Sequence, residues 1–462
     1  MEYRIEEDSL GRMKIPADLY WGIHTQRALE NFPVTGQKVN FSLIQAYCLV
    51  KQACAQANHE LKLLEGNKFE AIIRACGQII EGKLSDQFPV DALQGGAGTS
   101  TNMNVNEVLA NRAIEILGGR LGDYTLVHPI QDVNLNQSTN DTYPTALKIA
   151  AILKFRQLSP QIAALQGVFQ KKEKEFAKVV KVGRTELQEA VPITLGQEFG
   201  AFSEAIARDR WRVFKCEERL RLVNLGGTAV GTGLTAPRSY IFLVIETLRQ
   251  ITGLGLARGE NVLDQTANSD SFVEVSGILK AHAVNLIKIS RDLRLLNLLG
   301  EISLPQIQVG SSIMPGKVNP VILEAVGQAG LKVIANDLVI TEACSSASLQ
   351  INEFMPILAQ SLLESLDILI NINRIFAAHL EGIAADEKKC AWYFDRSPAL
   401  ITALLPQVGY DQAQELLEEF KKTGKENLRE FLAQKLGRAL IDKILSPYNL
   451  IALGYPSHEK NS

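Results

Sequence analysis

Gly310-Ser311-Ser312-Ile313-Met314-Pro315-Gly316-Lys317-Val318-Asn319-Pro320 sets two glycines and two prolines around two hydroxyls, a lysine and an amide. Glycine interrupts regular structure by its conformational freedom, and proline by its fixed φ and missing N–H. The stretch therefore reads as a mobile loop carrying polar chemistry between longer elements. A plain surface turn has the same composition, so the surrounding chain must decide.

Outward from this loop the chain is helical. Apolar periodicity predicts long helices at roughly 144–179, 194–223, 237–253, 266–297, 320–342 and 357–380. Leu358, Leu362, Leu366 and Leu369 mark one seam of the last of these. Long alternating strand patterns are few. Helices of this length need partners along them, which predicts a bundle extended by oligomerisation. Shorter helical patterns occupy 41–60 and 66–83, after a turn-rich start broken by Gly11, Pro16, Gly22, Pro33 and Gly36. From about Cys390 a smaller helical unit follows, punctuated by Ser397-Pro398 and Leu405-Pro406, with Lys421–Lys425 as a solvated loop.

Bulk properties exclude several classes. With 462 residues, 46% hydrophobic, the chain can bury a large core. A net charge of -3 and a pI of about 6.2 point to neither nucleic acid nor an anionic membrane as partner. Cys48, Cys54, Cys76, Cys216, Cys344 and Cys390 have no CxxC spacing and read as reduced, mostly buried thiols of a cytoplasmic protein. The acidic start Met1–Asp8 is not a secretory signal. No apolar run is expected to reach membrane-spanning length, since Glu364 and Asp367 interrupt Leu358–Ile372. His24, His59, His128, His282, His379 and His458 form no ligand cluster, so no metal centre is expected. His24 reads as structural rather than catalytic.

Four further polar clusters stand out. Gln94-Gly95-Gly96-Ala97-Gly98-Thr99-Ser100-Thr101-Asn102 is a glycine-rich turn entering a helix, whose N–H groups can cradle an anion. No Gly-Lys-Ser/Thr follows, so a carboxylate is expected rather than a nucleotide. Asn136–Pro144 opens another helix, where Ser138, Thr139 and Asn140 are good caps. They either only cap it or also donate to a carboxylate at the same helix N-terminus. Gly183–Pro192 is a loop with Thr185 and Glu186 near its tip, and the glycines of 226–234 suit tight backbone packing.

Taken together these stretches resemble the aspartase/fumarase superfamily. The loop 310–320 matches its signature without a gap. Gly98-Thr99…Asn102-Met103-Asn104, Gln137-Ser138-Thr139-Asn140-Asp141 and Gly183-Arg184-Thr185 match its other regions, and Ile15–Ala28 and Leu225–Leu234 are similar too. The resemblance implies a mainly α, three-domain fold (1–137, 138–389 and 390–462) with a long central helical bundle. It implies a homotetramer with a twenty-helix core and active sites shared by three subunits. It further implies elimination of fumarate from a C4 dicarboxylate without a redox or metal cofactor, leaving activation by a divalent cation open.

Family roles then fall on particular residues. Ser311 is the base that removes the Cβ proton. A serine hydroxyl is a weak base and needs a cationic or donor-rich setting, for which Lys317 and loop N–H groups are at hand. Thr99, Ser138, Thr139 and the backbone of Ser312, Ile313 and Met314 match the donors to the developing aci-carboxylate. Lys317, Asn319 and Thr185 match the holders of the α-carboxylate, and Asn140 the contact to the leaving group. Asn102 is a weaker candidate for the same pocket.

Ammonia and water compete as leaving group. Ala97-Gly98-Thr99, Ser138-Thr139-Asn140 and His24-Thr25 resemble the ammonia-eliminating branch. Glu186 replaces the histidine or glutamine usual there, while Glu324 matches that histidine's acidic partner. The two carboxylates are expected to lie close and share a proton, favouring a substrate ammonium; the alternative is that Glu186 points away or pairs with Arg184. Ile130-Gln131 after His128-Pro129 also departs from the hydratase pattern. Lyases of succinyl-linked adducts are disfavoured, because no histidine stands at 185–186. A non-catalytic protein on this scaffold would be expected to lack Ser311 or Lys317, and both are present.

Overall fold

The computed structural model describes residues 2–452 and Gly454; His458 lies outside the described residues. In chain order the elements are the hairpin β1 (Tyr3–Asp8) and β2 (Gly11–Pro16), then α1 (Ile23–Asn31), α2 (Phe41–Glu60), α3 (Gly66–Ile80), α4 (Thr99–Ile116) and α5 (Thr139–Glu175). The hairpin β3 (Val180–Thr185) and β4 (Gln188–Thr194) precedes α6 (Leu195–Arg219), β5 (Leu222–Val223), α7 (Arg238–Thr252), β6 (Ala257–Arg258) and α8 (Val262–Ala267). Next come α9 (Asp270–Leu299), β7 (Ile302–Ser303), α10 (Val321–Ser345), α11 (Met355–Glu381), β8 (Ala384–Ala385), α12 (Glu387–Arg396), α13 (Leu405–Thr423), α14 (Leu428–Leu436), α15 (Arg438–Ile444) and α16 (Pro447–Ile451). The architecture is mainly α, as the periodicity requires.

The chain divides into two compact units. One comprises Met1–Ser159, Arg212–Ala281 and Lys332–Leu369; the other comprises Pro160–Trp211, His282–Leu331 and Ile370–Ser462. The divisions fall inside α5, α6, α9, α10 and α11, the longest helices.

In the first unit α2 packs on α3 and α7, and α4 on α1 and α3. Local chemistry sets the ends: Asn40 caps α2 by accepting from Ser42 N–H at 3.0 Å, and Gly253 ends α7 in the left-handed region at φ 63°. The glycines of 226–234 do pack tightly. A Cβ on Gly231 would lie 2.5 Å from Leu263 Cα and from the Val262 carbonyl oxygen.

In the second unit a cluster of Phe394, Leu400, Leu404, Leu428, Phe431, Leu432, Ile441 and Leu445 forms the core of the C-terminal helices, with Val182 from β3 packed into it. Gly424, at φ 65°, ends α13, so Lys421 and Lys422 belong to its last turn rather than to a loop.

Two expectations need correction. The turn-rich start and the 183–192 loop each contain an antiparallel hairpin. The second was hidden by Gly183 and Pro192, both strand-breaking in general. Pro192 instead lies opposite Val182 beside a register shift, and Gly183 is required there because a Cβ would meet the Val191 carbonyl oxygen at 2.7 Å. The second correction concerns α11, which is long and apolar enough to cross a membrane by length and composition, although most of its apolar window is buried within the chain. The two acids that interrupt its apolar run are paired: Asp367 accepts from Asn40 at 2.9 Å and pairs with Lys154, while Glu364 accepts from Asn336 at 2.9 Å and pairs with Lys332 at 2.8 Å. The six cysteines are free thiols, all buried but Cys344.

Candidate functional site

The first unit carries the glycine-rich turn and the helix start of α5. Gly96, Ala97 and Gly98 all have positive φ, at 84°, 56° and 92°. This backbone allows Thr99 N–H and Thr99 Oγ1 to donate to the Gly96 carbonyl, at 2.9 and 2.8 Å. Gly98 lies on the buried ring of Tyr143, which meets Tyr47 edge-on at 5.8 Å. The turn and the first helical turn of α5 are thus one packed unit, with Thr99 exposed at its tip.

Ser138 immediately precedes α5, while Thr139 and Asn140 are its first two residues, so the helix starts five residues earlier than the periodicity predicts, and the capping is more elaborate than a single N-cap. Ser138 Oγ accepts from Asn140 N–H at 3.2 Å. The buried Asp141 carboxylate accepts from Ser138 N–H at 3.0 Å, Gly226 N–H at 3.1 Å and Thr228 N–H at 3.0 Å. Asn140 donates to the Ala229 carbonyl at 2.7 Å, and Asn224 donates to the Asn140 carbonyl at 3.0 Å. Burial raises the Asp141 carboxyl to about 7, against the pull of its three N–H donors. Sequence reading missed Asp141, although a buried acid at the third position of a helix is a familiar anchor.

Ala97, Thr139 and Asn140 line one small cavity together with Lys148, Gln265 and Phe272. Lys148 donates to the Leu222 carbonyl at 2.6 Å and Gln265 Oε1 at 3.2 Å, and burial lowers its ammonium to about 8. Asn102 behaves differently from its expected role. It is buried and its side-chain oxygen accepts from Lys51 Nζ at 2.8 Å, while its NH2 donates to Asn134 at 3.2 Å. Lys51, only 1% exposed, also donates to Asn134 Oδ1 at 3.0 Å and Gln137 Oε1 at 2.8 Å. The sequence did carry a signal for it: Lys51 is the lone charge between Phe41 and Asn58. His24 is half-buried, its pKa lowered by burial, and its N–H joins those of Gly22 and Thr25 on the buried Glu107 carboxylate. His128 Nδ1 accepts from Ile130 and Gln131 N–H groups at 3.0 and 3.2 Å, capping a short turn.

The second unit carries the hairpin β3–β4 and the 310–320 loop. Glu186 and Leu187 form the two-residue tip with φ of 53° and 62°, both left-handed, as a tight hairpin turn demands. Thr185 and Glu186 are exposed. Arg184 does not pair with Glu186: it donates to the fully buried Glu301 at 2.7 Å and stacks 5.2 Å from the Tyr393 ring centre. Lys181 reaches the same Glu301 at 2.9 Å. Glu324 lies 3.8 Å from Arg294. The expected proton-sharing contact between Glu186 and Glu324 is not formed within the chain: the hairpin tip is exposed and Glu324 faces a cation on α9.

The loop closes on itself. Gly310 N–H donates to the Lys317 carbonyl at 3.0 Å, and Asn319 Nδ2 donates to the Gly310 carbonyl at 2.6 Å. Ser311 Oγ accepts from Ile313 N–H at 3.2 Å and Met314 N–H at 3.0 Å. Two of the N–H groups expected to hold a carboxylate are therefore engaged by the serine oxygen itself. Donors aimed at that oxygen favour its ionised form. Ser312 and Lys317 are exposed, and Ile313 is 82% exposed. Among the described residues no three His, Cys, Asp or Glu side chains converge as a metal-holding group.

Ser311 thus stands in a local nest of backbone donors, on a loop that closes on its own glycine. Residues 11–335 match a protein-family model described as Lyase, and the chain belongs to that family. It is 45% identical to the aspartate ammonia-lyase of Bacillus subtilis (strain 168), covering 99% of this chain and 98% of the relative. It is 43% identical to the aspartate ammonia-lyase of Helicobacter pylori (strain ATCC 700392 / 26695), covering 97% and 98%. Among solved structures, the fumarate lyase:delta crystallin of Brucella melitensis bound to cobalt superposes with a TM-score of 0.94 at 44% identity, covering 98% of this chain and all of that one. A class II fumarase from Schistosoma mansoni gives a TM-score of 0.90 at 32% identity, covering 96% and 98%.

Proposed function

We propose that the protein is an aspartate ammonia-lyase, deaminating L-aspartate reversibly to fumarate and ammonia. The observation that carries the reading is the Ser311 hydroxyl, whose oxygen receives two backbone N–H groups on a loop free of regular structure. Identity to aspartate ammonia-lyases over nearly the whole chain supports ammonia rather than water as the leaving group. The absence of histidine at the hairpin tip, where Glu186 stands, points the same way.

Ser311 Oγ, as the alkoxide, takes a proton from Cβ of aspartate. The C–H electron pair delocalises into the β-carboxylate, giving a dianionic aci-carboxylate that Thr99, Ser138, Thr139 and loop N–H groups stabilise as charge develops. For the Ile313 and Met314 N–H groups to serve, the carboxylate must displace Ser311 Oγ from them. The Cα–N bond then breaks, the electron pair forms the double bond, and the amine leaves as neutral ammonia near Asn140. Lys317, Asn319 and Thr185 hold the α-carboxylate and so fix the anti geometry.

The working form is a cytoplasmic homotetramer with a twenty-helix core, each site combining segments from three subunits. This reading explains how a hairpin tip and a loop so exposed in one chain become parts of a water-excluding pocket. The chemistry as written uses no redox or metal cofactor. The test is to incubate the enzyme with fumarate in ammonium buffer and in plain buffer, then separate aspartate from malate. Aspartate formed only with ammonium is the expected result; malate as the dominant product would make the protein a hydratase.

A further inference from the structure

Lys51 stands in the middle of α2 with 1% of its surface exposed and, among the described residues, without a carboxylate hydrogen-bonded to it. Three neutral amide oxygens hold the ammonium instead, from Asn102, Asn134 and Gln137 at 2.8, 3.0 and 2.8 Å. A buried charge is costly unless paired, and chains usually neutralise it with an acid nearby. Here the cost is borne by dipoles, which do not offset the positive charge as a directly bonded carboxylate would.

The location of those partners gives the charge a use. Gln137 immediately precedes Ser138, and Asn102 stands three residues beyond Thr99. Asn134 ties them together: its side-chain oxygen accepts from Asn102 and Asn106, both at 3.2 Å, and its NH2 donates to the Gln137 carbonyl at 3.3 Å. The intervening Asn136 adopts the left-handed region at φ 62° and is pinned by Asn58 Oδ1 at 2.7 Å. One ammonium therefore bolts together the bases of both donor loops.

We propose that Lys51 is a positioning residue, which fixes the two donor loops and places behind them a positive charge held by amides alone, so that a dianionic substrate is drawn to Thr99, Ser138 and Thr139. The inference rests on the aspartate ammonia-lyase reading. It also explains the choice of amides over an acid. A carboxylate partner would have served as a bolt equally well but would have cancelled the field.

The titratable groups facing the ammonium are Cys48 and Cys54 of α2, Cys76 of α3 and Asp141 of α5, with the Tyr47 ring 6.0 Å away. Burial raises the Cys54 thiol to about 12 and holds the Cys76 thiol well above its ordinary value, so both stay neutral at working pH. Asp141 ionises near 7, and burial lowers Lys51 itself to about 8. The acid and the lysine act on each other, so the lysine's step is identified as the one that removing Lys51 abolishes.

The experiment measures the inhibition constant of succinate, a dianion with no amine to titrate, between pH 6.5 and 9 for the intact enzyme and for Lys51→Met. The wild-type constant is expected to rise about tenfold through the step near pH 8. K51M should bind about tenfold more weakly at pH 7 and should lack that step. A folded K51M with unchanged succinate affinity, or with the step retained, overturns the proposal. If K51M does not fold, Asn102→Asp supplies the second test, since it keeps the bolt and cancels the charge. Weaker succinate binding in N102D supports the charge role; unchanged affinity overturns it. Failure of the wild type to make aspartate from fumarate and ammonium sinks the activity assignment instead, and that assay is read separately.

Discussion

A Cβ on Gly310 would lie 2.1 Å from the Lys317 carbonyl oxygen, so the two strands of the 310–320 loop touch backbone to backbone. No flexible side chain is available to yield at this contact. Gly310→Ala is therefore expected to hold the loop open, moving Ser311 out of register. The predicted outcome is a fall in kcat of about a hundredfold with the melting temperature unchanged, because the loop adds nothing to either core. Steady-state rates and a thermal melt on the same preparation check both halves.

Ser311→Ala removes the base and leaves the loop N–H groups free. Turnover should drop by about 10²–10⁴, while succinate binds as well as to the wild type or better, since Ile313 and Met314 N–H groups no longer have an internal acceptor. Rate and inhibition constant measured together separate the proton-transfer role from a binding role.

Glu186 has no side-chain partner among the described residues and stands at an exposed tip. Glu186→Gln should leave thermal stability unchanged and raise KM for aspartate severalfold if the carboxylate meets the substrate ammonium in the assembled site. An unchanged KM would show that this carboxylate plays no part in binding the amine.

Arg184 and Lys181 share the fully buried Glu301. Arg184→Met leaves one cation in place, so its cost should be about 2–3 kcal/mol, less than the 3–5 typical of an orphaned buried charge. Denaturant titration measures the loss, and the KM for aspartate should rise with it because Thr185 is next in the chain.

Asp141 gives a pH dependence whose sign can be worked out. Its folded pKa, about 7, exceeds the ordinary carboxylate value of 3.8. Between these values the folded state holds the extra proton, so its contribution to stability is full below about pH 4 and is lost as pH rises towards 7. In Asp141→Asn this part of the slope should vanish. Chemical denaturation at pH 5 and pH 7.5, on both proteins, reads the difference.

Much of this was legible beforehand. Long apolar seams such as Leu358–Leu369 predicted the helices, because helical periodicity is a local property of the sequence. The loop chemistry at 95–99, 138–140 and 310–320 was legible because glycine and cap residues carry their conformational demands with them. The β3–β4 hairpin was not, since its turn at Glu186-Leu187 lacks the usual Asn-Gly and its strands contain Gly183 and Pro192. Pairings distant in sequence were equally hidden. Glu301 under Arg184, Asp141 under Gly226 and Thr228, and Arg294 beside Glu324 depend on tertiary placement. Asn102 reads from the sequence as a weaker candidate for the substrate pocket, whereas the partner that claims its side-chain oxygen, Lys51, lies fifty-one residues away.

The hairpin tip has an implication for how this enzyme and its relatives can diverge. Its root is locked by Glu301, whereas position 186 is constrained only by a left-handed backbone at φ 53°. That constraint acts as a filter on drift: valine, isoleucine and proline are barred, while asparagine, aspartate and histidine tolerate such a backbone best. On the proposed site, where position 186 faces the substrate amine, an exchange of glutamate for histidine would alter the charge and proton chemistry offered there without disturbing the fold beneath. The backbone itself keeps that path open.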